Sequence, residues 1–242
     1  LPGYLQLEAT YTLKYHRFHK FTFRSGAKVI TANKKAEVIL FLPIYFMYRF
    51  TEKSLSPTDF PGGRSLENIL KQIFDNEKPN TENQELFIKS IKKAFQKKEY
   101  SQYVDTFVIE RAAGQLFSLF FFTDNQTGMR AMLESKWKED EERGHGFRIN
   151  ANQGSLFKGI SASNFPYLLE EFLRLHKKVS NEELYEFILQ RSHLPKHANE
   201  VLKSLKKRNI IEVNSLDGLP AKGNYLGDKK RLVEFIYKQK GE

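Results

Sequence analysis

The sequence contains no cysteine. Disulfide bonds, thiolate zinc sites and cysteine nucleophiles are therefore excluded together, and the absence is compatible with a cytoplasmic location. A transmembrane helix needs about 20 consecutive apolar residues, and no segment approaches that length. The longest candidate, Val38 to Phe50, contains Pro43 and Arg49. A signal-peptide pattern is also missing, so we expect a cytoplasmic protein without a membrane partner.

What the chain does contain is aromatic and basic. Hydrophobic residues make up 40% and aromatic residues 14% of the 242 positions, with 21 phenylalanines. This composition predicts a globular protein with an aromatic core, long enough for one large domain or a core with a small appendage. The net charge of +10 and the isoelectric point of about 9.5 favour an anionic partner. Ribosomal, membrane-surface and nucleic-acid-binding proteins share this balance with many enzymes, so charge gives the sign of the partner and not its identity.

The stretch from Gln115 to Trp137 combines a buried strand with an amphipathic helix. Leu116 to Phe122 is apolar except for Ser118, so both of its faces must be covered and it belongs at or near the middle of a sheet. The next three residues are typical of turns and helix caps: Thr123, Asp124 and Asn125. Apolar residues then recur at helical spacing and predict one buried helix face: Met129, Met132, Leu133 and Trp137.

Two further strands complete the predicted sheet. Glu37 to Leu42 is a second buried run, which favours the central strand of a parallel sheet, and Pro43 marks its end. Tyr103 to Ala112 is joined to Leu116 by so short a link that the two strands must be antiparallel neighbours. The sequence therefore predicts an α/β fold with a mostly parallel sheet and an antiparallel hairpin at one end.

Four weaker candidates for function lie in the same part of the chain. His16 and His19 have no third ligand nearby to complete a metal site, and the glycine-containing tip from Pro61 to Arg64 lacks the Lys-Ser/Thr ending of a phosphate-binding loop. His145 stands between two glycines, which suits ligand contact or a plain turn, and we favour the turn. A predicted helix exposes lysines that indicate a solvated face or, alternatively, a phosphate-contacting stripe: Lys89, Lys92, Lys93, Lys97 and Lys98.

A change in composition divides the chain. Residues 151–163 are poor in core residues and rich in Gly, Ser and Asn, so we predict a linker between a core at residues 1–150 and a smaller unit at residues 164–242. The smaller unit contains three predicted helices and two predicted strands: Phe165 to His176, a helix capped by Ser180 with Glu183, Lys196 to Arg208, Ile210 to Val213, and Arg231 to Tyr237.

Three short helices followed by a two-stranded ribbon is the order of a winged helix-turn-helix, whose third helix enters the major groove. Positive charge on both the third helix and the wing is what phosphate neutralisation requires. We predict that nucleic acid contacts ten residues there: Lys196, His197, Asn199, Lys203, Lys206, Lys207, Lys222, Lys229, Lys230 and Arg231. The alternative stays open, because many winged helices mediate protein contacts and lysines at a helix end also complement the helix dipole.

His193 and His197 are four residues apart and suit a metal pair. No carboxylate is placed to join them, so a helix cap or a phosphate contact is the favoured interpretation.

Three stretches carry a family resemblance: EVILFLPIYFMYRF (Glu37 to Phe50), FSLFFFTDNQTGMRAMLESKW followed by HGFRI (Phe117 to Ile149), and HANEVLKSLKKRNIIEV (His197 to Val213). They resemble the three-Cys-motif partner proteins, and the middle stretch is the most specific of them. The resemblance covers roughly Lys34 to Val213. It implies a methyltransferase-like (Rossmann-like) sheet followed by a helical C-terminal domain, a mobile-element or phage-related gene context, and a three-Cys-motif protein as partner.

The nucleotide-binding half of that family is not found in this sequence. Neither its Gly-containing Asp-Phe turn nor its Asp-Pro-Phe-Gly motif occurs. A Gly-rich turn is what lets backbone N–H groups approach S-adenosylmethionine, so no cofactor site is assigned to any residue. The chain begins at Leu1, and either an N-terminal half is absent or this member has lost it. We expect S-adenosylmethionine as a cofactor only if such a half exists.

Our leading prediction is a nucleic-acid-binding protein, with duplex DNA as its partner, the winged unit as the reader and the α/β part as a scaffold or docking surface. The alternatives are a methyltransferase or nuclease that acts on nucleic acid, and an interaction module for a three-Cys-motif protein. Three acids near strand ends are candidates for catalysis, although no paired-carboxylate or nuclease motif gives them roles: Asp105, Glu110 and Asp124.

Overall fold

The computed structural model describes residues 9–12, 37–51, 58, 63–110, 115–140, 144–148, 164–216, 223–226 and 232–238. The chain divides into two compact units, Leu1–Lys158 and Gly159–Glu242. The predicted linker at 151–163, His16, His19 and the first two residues of the Pro61 to Arg64 tip lie outside the described residues. Among the described helices, none combines the length and the apolar character that crossing a membrane requires.

The first unit contains a five-stranded sheet with helices. Its strands are β1 (Ala9–Thr12), β2 (Glu37–Leu42), β3 (Tyr103–Glu110), β4 (Leu116–Thr123) and β5 (Gly146–Arg148), in the spatial order β1-β2-β4-β3-β5. Its described helices are α1 (Ile44–Thr51), α2 (Gly63–Phe74), α3 (Gln84–Lys97) and α4 (Gln126–Glu139).

Strand β4 is the middle strand of this sheet, as its apolar sequence predicts. Phe120 and Phe122 are buried on the face that packs against α3, where both rings meet the edge of Phe95 at centroid distances of 5.4 and 5.1 Å. On the other face, Phe117 stacks on Phe41 of β2 at 5.1 Å. Aromatic contacts on both faces explain why this strand tolerates so little polarity.

The prediction of a mostly parallel sheet is wrong. Among the described strands, β2 is antiparallel to β1 and to β4, β3 is antiparallel to β4, and the parallel pairing is that of β3 with β5. The predicted hairpin is present, but it lies in the centre of the sheet rather than at one end. Strands β2 and β3 do run in the same direction, and β4 folds back between them. An apolar run indicates that both faces of a strand are buried. It does not indicate the direction of the neighbouring strands, which depends on which strand lies between β2 and β3.

The second unit contains three helices and a three-stranded antiparallel sheet. Its elements are α5 (Phe165–His176), β6 (Lys178–Ser180), α6 (Asn181–Gln190), α7 (Pro195–Lys207), β7 (Ile211–Ser215) and β8 (Val233–Tyr237), with the sheet order β6-β8-β7. The winged helix-turn-helix prediction is therefore confirmed. Strand β6 was not predicted, because three residues between two helices are too few to show an alternating pattern.

Local signals fix the helices of this unit. The side chain of Ser180 accepts a hydrogen bond from the Glu183 N–H, and the Glu183 carboxylate accepts one from the Ser180 N–H, so the predicted capping box is present. Leu169, Leu184 and Leu202, one from each helix, are fully buried. Helix α7 is thereby held with one face in the core and the other toward solvent.

Candidate nucleic-acid interface

Helix α7 presents a basic face to solvent. It starts at Pro195, where the missing N–H of proline is tolerated in a first turn, and it buries Ala198, Leu202 and Leu205. Four of the predicted contact residues are exposed on the remaining surface: Lys196, Lys203, Lys206 and Lys207. The acidic residue of this helix, Glu200, is also exposed.

These four lysines keep their positive charge uncompensated within the described part of the chain, where no carboxylate lies at ion-pair distance from them. Other cations of the same unit behave differently, since Lys178 pairs with Glu234 at 2.8 Å and Arg208 with Glu170 at 3.8 Å. Surface charges that are not neutralised internally are available to neutralise phosphates.

The lysines of α3 serve as a contrast. Lys89 pairs with Glu85, Lys97 with Glu77 and Lys98 with Asp75, while Lys92 bonds to Asp105 at 2.9 Å. Lys93 is exposed. Because most of this stripe is paired with acids, the interpretation as a solvated face is the better one, and the phosphate-contacting stripe is not supported.

The prediction that Asn199 is exposed is wrong. Its side chain is 7% exposed, and its Nδ2 donates a hydrogen bond of 2.8 Å to Oδ1 of Asn224. Asn199 lies on the side of α7 that the chain between β7 and β8 covers. The helical pattern places it next to the core face, and only the fold of that connection shows that it is buried.

His197 caps its own helix. Its Nδ1 accepts a hydrogen bond of 3.2 Å from the Leu194 N–H. His197 thus stands at the third helical position, where a capping box usually has Glu or Gln. Burial, together with the smaller effect of the Lys196 charge, lowers the pKa of His197 to about 4. The ring is therefore neutral at physiological pH and adds no charge to the basic face.

His193 is also engaged. Its ring stacks on Phe165 at 3.8 Å, and its Nδ1 lies 2.6 Å from the carbonyl oxygen of Arg191. The favoured cap interpretation is thus confirmed for His197, and among the described residues no group of three side chains is arranged to hold a metal ion.

The wing is described at its base and at residues 223–226 of the connection between its two strands. Strands β7 and β8 pair from Ile211↔Tyr237 to Ser215↔Val233, and the Leu216 N–H donates to the Leu232 carbonyl oxygen at 2.9 Å. The four predicted wing contacts lie outside the described residues: Lys222, Lys229, Lys230 and Arg231. Their role stays a prediction.

A segment that the sequence analysis missed lies against α7. Residues Gly223, Asn224, Tyr225 and Leu226 belong to the connection between β7 and β8, and the Tyr225 and Leu226 side chains are buried. The Tyr225 ring meets Phe235 of β8 edge-on at 5.8 Å. The adjacent Tyr and Leu in a polar, glycine-containing loop are the signal that could have revealed it.

The candidate catalytic acids of the first unit are not brought together. Asp105 is fully buried and holds two lysines, Lys92 at 2.9 Å and Lys136 at 2.6 Å. Asp124 accepts a hydrogen bond of 2.6 Å from the Gln102 N–H at a turn. Glu110 lies at the far end of β3, five residues and about 17 Å from Asp105 along the strand. Asp105 and Asp124 thus make structural contacts, and Glu110 lies apart from Asp105.

The turn at His145 is also structural. The His145 N–H donates to Oδ2 of Asp140 at 2.8 Å, and its carbonyl oxygen accepts from the Val108 N–H at 2.9 Å. Burial lowers the pKa of His145, and the neighbouring charge of Lys136 lowers it further.

The N-terminus of α4 is occupied by the chain itself. In Rossmann-type folds this strand-turn-helix position binds phosphate. Here Oδ1 of Asn125 accepts hydrogen bonds from the Thr127 and Gly128 N–H groups, at 2.8 and 3.4 Å. The Glu37 carboxylate lies so close to Gly128 that a Cβ there would collide with it. Asn125 thus caps this helix N-terminus, with the Glu37 carboxylate beside it.

Comparison with known families agrees with the fold of the second unit. Residues 147–218 match the model of the GMT-like wHTH domain. No curated protein and no solved structure is significantly similar to the chain. A winged helix-turn-helix is thus supported by the sequence family and by the coordinates, and it suggests nucleic-acid binding in general. The resemblance to the three-Cys-motif partner proteins is not confirmed.

Proposed function

We propose that the protein binds nucleic acid, and specifically duplex DNA, through the exposed face of α7. The observation that carries the proposal is the set of four lysines on the third helix of a winged helix-turn-helix, all exposed and none paired with a carboxylate that the structure describes. In this architecture the third helix is the one that enters the major groove.

The spacing of these lysines suits a duplex. Lys196 and Lys207 are eleven residues apart and therefore about 16 Å apart along the helix axis. Cations at both ends of a helix that lies in the groove reach the phosphates that border it, while the residues between them face the base edges. Most of the expected affinity is consequently electrostatic and depends on salt.

The proposal favours DNA over duplex RNA. The major groove of B-form DNA is about 12 Å wide and admits an α-helix, whereas the major groove of A-form RNA is deep and narrow. A helix that is 13 residues long and basic along its length needs the wider groove.

The test is the salt dependence of binding to a fluorescent DNA duplex, measured by anisotropy. The triple variant Lys203→Ala, Lys206→Ala, Lys207→Ala should bind more weakly, with a log–log salt slope shallower by about 2 to 3, since each phosphate contact contributes about 0.9. Absence of binding by the unsubstituted chain at low salt contradicts the proposal.

A matched control removes the same charge elsewhere. Lys71, Lys89 and Lys97 are exposed lysines of the first unit that pair with Glu67, Glu85 and Glu77. Their triple replacement by alanine lowers the net charge equally and should leave the slope nearly unchanged. Equal effects of the two triples would show that net charge, and not the α7 face, attracts the DNA.

The remaining parts of the proposal have other grounds. A cytoplasmic location rests on the missing cysteine, transmembrane and signal-peptide patterns. A mobile-element or phage-related context and a first unit that acts as a methyltransferase-like scaffold or docks a three-Cys-motif protein rest on the family resemblance. Co-purification of such a protein with the full chain tests the docking role. An interaction module without affinity for nucleic acid would show the co-purification and fail the salt-dependence test.

A methyltransferase or nuclease that acts on nucleic acid is the second hypothesis, and the methyltransferase requires S-adenosylmethionine to bind. The Gly-rich turn that approaches this cofactor is not found in the sequence, so cofactor binding would need a further N-terminal half. Calorimetric titration of the chain with S-adenosylmethionine should give no heat of binding. A measurable heat would favour the enzyme.

A further inference from the structure

The connection between β7 and β8 contacts α7 at Asn224 and Tyr225 and passes close to it at Gly223. Asn224 accepts the 2.8 Å hydrogen bond from Asn199, and the Lys206 ammonium lies 5.9 Å from the centroid of the Tyr225 ring, within the range of a cation–π contact. Gly223 has a φ of +51°, and a Cβ there would lie 3.1 Å from Cε of Lys203. The three contacts follow successive residues of the connection along one side of the helix.

The attachment is anchored from the opposite side by the core. Tyr225 and Leu226 are 5% and 4% exposed, and the Tyr225 ring packs on Phe235, which is fully buried. Burial also raises the pKa of Tyr225. This segment is therefore part of the packed unit, although it lies in the middle of a polar loop.

The attached segment does not cover the basic face. With Gly223–Leu226 in place, Lys203, Lys206 and Lys207 are still exposed. The Tyr225 ring supports the Lys206 ammonium at the surface instead of burying it. A lid over the helix would have hidden these side chains, so the geometry points to positioning and not to inhibition.

We propose that residues 223–226 form a clamp that fixes the wing connection beside α7, and that Asn199 is a positioning residue that acts through Asn224. The proposal rests on the proposed function: the clamp holds wing and helix as one surface for a nucleic-acid duplex. Asn199 then contributes to binding without contacting bases. Lys206 contributes as a cation held in place by an aromatic ring.

The first measurement is made without DNA, by amide hydrogen exchange of Tyr225 and Leu226 in the full chain. Asn224→Ala removes the acceptor from the buried Asn199 amide and should accelerate exchange of both residues. Asn224→Asp retains an acceptor at the same place and should restore protection. Because the Asn224 side chain is exposed, neither change threatens the core. Unchanged exchange in Asn224→Ala overturns the clamp.

The second measurement is the salt slope of binding to the fluorescent duplex. Asn224→Ala should make the slope shallower by about 1 to 2, as expected when one or two phosphate contacts are lost. The double variant Asn224→Ala, Tyr225→Ala releases the segment further and should lose at least as much. Tighter binding by either variant would identify the segment as a lid and overturn the proposal.

A charge test separates positioning from a general loss of stability. Lys229→Ala with Lys230→Ala should make the salt slope of DNA binding shallower in the otherwise unsubstituted chain. The same pair should have a smaller effect in the Asn224→Ala background. Equal effects in both backgrounds show that the clamp does not place the wing. Failure of the unsubstituted chain to bind DNA removes the proposed function and the positioning role together, whereas faster exchange with an unchanged slope removes only the positioning role.

Discussion

At the scale of single residues, the most consequential side chain of the first unit is Asp105. Its carboxylate is fully buried and joins Lys92 of α3 to Lys136 of α4, so it ties two helices to strand β3. Desolvation lowers the pKa of Lys136, and the attraction of Asp105 opposes that shift. Such a charge is tolerated inside a protein only while its partner is present.

Removal of the Asp105 carboxylate should therefore be costly. We expect Asp105→Ala to lower the free energy of unfolding by about 3 to 5 kcal/mol, because it leaves the Lys136 charge buried without its partner. Urea denaturation measures the effect. Glu67→Ala, which breaks the exposed pair with Lys71, is the control and should change stability by less than about 1 kcal/mol. A loss of less than about 1 kcal/mol at Asp105 contradicts this account.

His197 makes a pH-dependent contribution to stability. Its pKa falls to about 4 in the folded protein from an ordinary value of 6.5, so the unfolded chain binds the proton more readily between these values. The stability that its neutral ring provides is fully present above pH 6.5 and is lost as the pH falls toward 4.

His197→Gln tests this sign. Glutamine retains a capping-box acceptor for the Leu194 N–H, so stability at pH 7 should change by less than about 1 kcal/mol. Between pH 6.5 and 4.5 the variant should lose about 1 to 2 kcal/mol less than the unsubstituted protein, allowing for the partial exposure of the ring. Urea denaturation at the two pH values checks this, and an identical loss in both proteins would contradict it.

At the scale of elements, helices are defined by their caps as much as by their apolar faces. The capping box that starts α6 satisfies backbone groups at both Ser180 and Glu183. Hydrogen bonds from the backbone and hydroxyl of Ser180 also lower the pKa of Glu183. The same Ser180–Glu183 hydrogen bonds therefore cap the helix and lower the pKa of Glu183, and a change at Ser180 should affect both.

Ser180→Ala should destabilise the protein by about 1 kcal/mol and move the pKa of Glu183 back toward its ordinary value. Denaturation and NMR titration of the carboxyl group measure the two effects. Ser204→Ala is a matched control, since Ser204 is exposed in α7 and caps no helix. If the two serine variants have equal stability, the cap contributes nothing.

At the scale of the whole molecule, the chain divides into two compact units. The described residues of the first unit contain a large aromatic core, and the winged unit carries four exposed lysines along α7. A ligand that binds only the folded second unit should stabilise that unit and not the first, because stabilisation follows binding to the native state.

Saturating duplex DNA should therefore slow amide exchange in residues 164–216 and leave β3 and β4 unchanged. At a free DNA concentration of 100 times the dissociation constant, the expected stabilisation is about 2.7 kcal/mol. Hydrogen exchange with mass spectrometry, with and without DNA, resolves the two regions. Equal protection of both units would show that the first unit also contacts the DNA.

The sequence determined the elements that depend on local chemistry. The apolar run of β4, the capping box at Ser180 and the order of helices and ribbon after residue 164 all follow from side chains that are close in the chain. It also placed the exposed lysines of α7, because a 3.6-residue period separates a buried face from a solvated one.

Only the tertiary structure decided which distant residues meet. The first sheet is mostly antiparallel instead of parallel because β4 lies between β2 and β3. Asp105, a candidate catalytic acid in the sequence, forms ion pairs with Lys92 and Lys136. Asn199 became buried because Asn224, 25 residues later, folds against it. Periodicity records how each segment is divided between core and solvent, whereas pairing between segments depends on contacts that close only when the whole chain is packed.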